Sequence, residues 1–84
     1  MYQVFIEKKV AKYLATIHEP DYSKLKSTIL SIASDPRPPG YKKLKGRPAY
    51  RIRQGDYRII YEIQDKHLKI YIITIGHRKD VYDL

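Results

Sequence analysis

With 84 residues and no cysteine, the chain has room for one domain around one modest core, and it can form neither a disulfide nor a thiolate metal site. Apolar residues make up 43% of it and the formal net charge is +8, so it can fold, and it should attract polyanions: nucleic acid or an acidic protein segment. No apolar run approaches the roughly 18 residues of a membrane span, and the opening MYQVFIEKKV lacks a signal-peptide core, so a single cytoplasmic domain over 1–84 is expected.

Residues 2–6, YQVFI, read as a short strand rich in β-branched and aromatic side chains. In 7–17 the spacing of Val10, Leu14 and Ile17 (i, i+4, i+7) predicts an amphipathic helix. Pro20 suits the first turn of a second helix, whose apolar stripe is Leu25, Ile29, Ile32 and Ala33 and which Asp35-Pro36 ends. Residues 35–49 hold four of the five prolines and two of the four glycines, so a loop without regular structure is expected to cross from helices to sheet. Three strands follow, at 50–53, 57–64 and 68–75, joined by Gln54-Gly55-Asp56 and Asp65-Lys66. The last of them, LKIYIITI, is so continuously apolar that it reads as a central strand covered on both faces. A polar tail, HRKDVYDL, completes the chain.

The order strand, two helices, three strands predicts an α+β domain, with an antiparallel meander backed by a helical hairpin. Strand alternation then puts Arg51 and Arg53 on one face and Tyr50 and Ile52 on the other. If the apolar side meets the helices, the guanidinium groups form an outward basic face. The eight cations from Arg37 to Arg58 face one acid, Asp56. A solvated face kept for solubility is the plain alternative, but several of these cations fall on strands rather than on a tail.

The run KLKGRPAYRIRQGDYRIIYEI, followed by IYIIT and HRKDVY, resembles the RelE/ParE superfamily of bacterial and archaeal toxins, and the likeness spans nearly the whole chain. It implies one of two activities: RelE-type members cut messenger RNA on the ribosome without a metal, and ParE-type members poison DNA gyrase without catalysis. Both types are silenced by a small antitoxin, here expected to be acidic and RelB-like. Carried over by position, the RelE pattern places its two second-strand cations at Arg51 and Arg53. Its third-strand arginine falls on Arg58, the arginine after the last strand on Arg78 and the C-terminal tyrosine on Tyr82. This chain has arginine, not lysine, at both second-strand positions, and arginine scarcely deprotonates, which leaves the general base unassigned.

Cleavage at a 2′-OH needs a proton acceptor, a proton donor and cations for the anionic phosphorane. Arg58 and Arg78 suit the last task, because a planar fork grips two phosphate oxygens. His77, beside Arg78, is the candidate for proton transfer, since imidazole titrates near neutrality; Glu62 is a second candidate. His18 and His67 carry no assigned role. Tyr82 lies outside the strands, where it can stack on a base or anchor the tail. Lys43, Lys45 and Arg47 are expected to make positioning contacts to RNA phosphates. No metal-ligand spacing or cofactor motif is present, so neither is expected. The readings carried forward are a RelE-like endoribonuclease, a ParE-like gyrase inhibitor, and a basic module that only binds an acidic partner.

Overall fold

The computed structural model describes residues 1–77. Its elements are β1 (Gln3–Ile6), α1 (Lys8–Leu14), α2 (Asp21–Ser34), β2 (Lys42–Lys43), β3 (Ala49–Gln54), β4 (Tyr57–Gln64) and β5 (Lys69–His77). The α+β architecture is as expected. One five-stranded sheet has the order β1-β5-β4-β3-β2. The meander β3-β4-β5 is antiparallel, while β1 lies parallel to β5, from Gln3 opposite Lys69 to Ile6 opposite Ile72. Parallel neighbours need a crossover, and the helices lie on it.

Helix α1 buries Val10 and Leu14, one turn apart. It stops short of residue 17 because the chain tightens: the Thr16 and Ile17 amides donate to carbonyls three residues back, and the Thr16 hydroxyl takes the Tyr13 carbonyl at 2.6 Å. Helix α2 buries the expected stripe, Leu25, Ile29, Ile32 and Ala33. Pro20 sits at its boundary, and the Glu19 carboxylate serves the first turn, accepting from the Ser23 amide at 3.1 Å and the Ser23 hydroxyl at 2.7 Å. Asp35 takes an extended conformation, φ −141°, as a residue before proline must. Against these helices pack Ile52, Ile59, Tyr61, Ile70, Ile72 and Ile75, which defines the inner face of the sheet.

Four expectations need correction. The segment 35–49 is not wholly irregular: Lys42 and Lys43 pair with Arg51 and Tyr50 to make β2. The reason is Leu44, the one large aliphatic in a basic stretch. It buries on Ala49 and Ile60 of the outer face, 7% exposed, while its amide donates to the Ala49 carbonyl at 2.9 Å. That folds the loop back as a hairpin, with Gly46 at φ 69° near its tip. The strand β5 is flanked by β4 and β1, but only its inner face is fully covered; Tyr71, Ile73 and Thr74 are half-buried. The link between β4 and β5 is a single 3₁₀ turn, Asp65–His67, closed by Leu68 in the left-handed region (φ 52°, ψ 48°). The β3–β4 turn is shorter than expected, because Gln54 pairs with Tyr57 and leaves Gly55-Asp56 between them, Gly55 at φ 59°. Gln54 also accepts from Thr28 at 2.6 Å, which ties this hairpin to α2.

Candidate nucleic-acid interface

Ile52 and Ile59 face the helices, so strand alternation sends Arg51, Arg53 and Arg58 to the outer face, as the sequence implied. The register adds what periodicity alone could not. Arg53 lies directly opposite Arg58, and Lys42 directly opposite Arg51. Like charges across a rung destabilise a sheet by about 0.2–1 kcal/mol each. Two such rungs, two residues apart along β3 and on opposite sides of it, concentrate four cations where folding alone disfavours them. On β5 the residue opposite Arg58 is Gly76, which places no side chain beside the guanidinium.

Behind the cations the outer face turns apolar, with Leu44, Ala49 and Ile60 buried and Ile73 packed on them. Next come Glu62, opposite Ala49 and Tyr71, and then the stacked pair Phe5–Tyr71, with centroids 5.2 Å apart and planes at 19°. Lys69 Nζ sits 5.7 Å from the Phe5 ring centre. The face therefore grades from cationic at the β3–β4 turn to aromatic at the β1 edge. Glu62 is on the same face as Arg58 but four residues on, about 13 Å along the strand, so the two do not meet routinely.

The basic loop frames this face. Lys43, Lys45 and Arg47 are exposed, and residues 43–48 line an open depression of about 500 Å³. A second cleft, about 340 Å³, opens at the end of β2 between Pro39, Gly40, Lys42, Arg51, Ile52 and Arg53. Lys43 pairs with Tyr50, an inner-face residue, so it points away from the arginines. Lys42 is the lysine that joins them. Only the position of β2 reveals this, since in an irregular loop neither lysine has a side.

His77 does not join the arginines. It pairs with Tyr57, whose ring packs on the inner core, and the two rings meet edge to face at 5.6 Å and 79°. The imidazole is therefore across the sheet from Arg51, Arg53 and Arg58, and proton transfer by His77 at that cluster is withdrawn. Adjacency to Arg78 in sequence gave no information about face. Arg78 and Tyr82 lie outside the described residues.

A tyrosine-rich clasp fixes the start of the crossing loop, and hence the place of Lys42. Tyr61 is fully buried, and its hydroxyl donates to the Pro36 carbonyl at 2.7 Å. Burial pushes its phenol up to about 12. Arg37 lies 5.3 Å from the Tyr50 ring centre and pairs with Asp65 at 3.1 Å, and Asp65 also accepts from the Tyr2 hydroxyl at 2.7 Å. The Arg37 hydrogen bond, then that of Tyr2, holds the Asp65 carboxyl below the usual carboxylate range, and the same pairing raises Arg37. Both partners are well exposed, so the bridge adds little to stability. Its value is geometric.

Among known proteins, residues 4–82 match the family described as ParE toxin of type II toxin–antitoxin system, parDE. The fold is similar to that of the archaeal RelE–RelB complex from Pyrococcus horikoshii OT3, with TM-score 0.84 and 30% identity over 95% of this chain and 98% of that one. It is similar also to the RelB–RelE antitoxin–toxin complex from Methanococcus jannaschii, with TM-score 0.74 and 27% identity over 94% of this chain and 95% of that one. Toxin RelG of Mycobacterium tuberculosis is 39% identical over 33 residues, which is 39% of this chain and 38% of that protein, well under two thirds of its length.

Proposed function

Since the chain belongs to the ParE toxin family of type II toxin–antitoxin systems, we propose that it arrests growth as a RelE-type endoribonuclease, cutting messenger RNA on the ribosome without a metal. The observation that carries this reading is the pair of cation–cation rungs, Lys42 opposite Arg51 and Arg53 opposite Arg58, on one open sheet face. A scissile phosphate on that floor gains negative charge as the 2′-oxygen bonds to phosphorus. Arg53 and Arg58 are set on either side of that charge, and Arg78 is assigned to join them from the tail. The 2′-OH loses its proton, a 2′,3′-cyclic phosphate forms, and the 5′-oxygen leaves as a hydroxyl once protonated. Arginine does not take the first proton, so solvent accepts it, and the guanidinium groups act by charge and hydrogen bonding. Tyr82 is assigned to stack on a neighbouring base. Lys45 and Arg47 serve as positioning contacts, and Lys43 as a weaker one. The silencing partner is a small acidic, RelB-like antitoxin laid over the same basic face, and the toxin works in the cytoplasm.

The family match favours one other reading, a ParE-like inhibitor of DNA gyrase that acts by binding alone. One experiment separates the two. The chain is induced without an antitoxin, and messenger RNA ends and double-strand DNA breaks are followed over time. New RNA ends within translated regions, ahead of any DNA damage and abolished when translation initiation is blocked, are the expected result. Early DNA breaks with intact messenger RNA overturn it.

A further inference from the structure

We propose that the cleft at the end of β2 is a second phosphate seat, which takes the RNA phosphate next to the cleaved one through Lys42, Arg51 and the backbone amide of Arg53. The inference rests on the ribonuclease reading and extends it. Successive phosphates then sit at successive outward positions of β3. Arg51 and Arg53 are two residues apart on β3, about 6.6 Å along the strand, a step comparable to that between neighbouring phosphates of an extended single strand.

The local geometry supplies the donors. In β3 the residues that bond to β4 alternate with those that bond to β2, and the Leu44 amide to Ala49 carbonyl bond marks Ala49, Arg51 and Arg53 as the β2-directed set. But β2 ends at Lys42, opposite Arg51. The Arg53 amide therefore points into the cleft rather than at a strand. Gly40, at φ 92°, turns the chain away there, and a Cβ on it would meet only Ile52 Cδ1, at 3.8 Å. The space left, about 340 Å³, holds a phosphate with its waters. Among the described residues the one ion pair is Arg37–Asp65, so Lys42, Arg51 and Arg53 meet no carboxylate. Three cations and an outward amide around a concave opening make the donor set of a tetrahedral oxyanion.

The test uses a short single-stranded RNA and versions of it carrying one neutral methylphosphonate, bound to the ¹⁵N-labelled protein and to its Lys42→Ala variant. Neutralising one flanking phosphate should weaken binding to the parent about 10-fold, the lower range for one charge-assisted hydrogen bond. It should weaken binding to Lys42→Ala no further, and the RNA should shift the Arg53 amide resonance of the parent. Losses that multiply, an unmoved Arg53 amide, or no binding by the parent overturns the proposal. Cleavage on ribosomes is read separately: its absence with the coupling intact refutes the ribonuclease reading and leaves the phosphate seat standing.

Discussion

Replacing Tyr61 by phenylalanine should destabilise the protein at neutral pH and stabilise it in strong alkali. The ring is fully buried and its hydroxyl donates to the Pro36 carbonyl at 2.7 Å. Removing the hydroxyl leaves that carbonyl unpaired, at a cost of about 1–1.5 kcal/mol near pH 8. The alkaline term has the opposite sign. A tyrosine ionises near pH 10 in the unfolded chain, and here the folded value is raised to about 12. Below pH 10 the phenol is neutral in both states and its contribution is whole. Between pH 10 and 12 the unfolded chain releases the proton first, so the parent loses about 1.4 kcal/mol per unit, about 2.7 kcal/mol in all. Phenylalanine has no such loss. The urea stabilities of the two proteins should therefore cross near pH 11, where the parent has given up about 1.4 kcal/mol. Lysines and the other tyrosines titrate in both proteins and cancel. A gap that stays constant from pH 8 to 12 refutes the buried phenol and its bond to Pro36.

Arg58→Ala should slow messenger RNA cleavage about 10²-fold or more while leaving the far-UV circular dichroism unchanged, because it removes transition-state charge and leaves the apolar core residues in place; Lys43→Ala, on the other face, should cost only a few-fold. His77→Ala should cleave within a few-fold of the parent with the same pH profile in single-turnover assays, since its ring lies against Tyr57 and away from the arginines; a flattened profile would restore the histidine to the mechanism. Leu68→Gly should stabilise the fold by about 0.5–1 kcal/mol in urea melts, because relief of the left-handed conformation at φ 52° outweighs the entropy that glycine loses. Association with an acidic antitoxin should slow about 10-fold or more from low to high salt, read by stopped flow, as expected of steered encounter with a +8 chain.

Elements with long apolar periodicity were legible in the sequence. The stripe Leu25–Ile29–Ile32–Ala33 and the alternation through Ile52 and Ile59 each bury one face, and that requirement sets both the element and which side is outward. The outward turn of Arg51, Arg53 and Arg58 follows from that alternation alone. What the sequence could not decide is everything that depends on which strand lies beside which. That β1 joins β5 in parallel, that Leu44 folds a proline-rich loop into β2, and that Arg53 faces Arg58 are matters of register, set by packing between residues far apart in the chain. The same holds for the site. Lys42 and Lys43 are alike as neighbours in a basic run, and His77 beside Arg78 looked well placed. Only pairing with Arg51, Tyr50 and Tyr57 gives each a face, because a side chain on a strand has no direction until the sheet around it does.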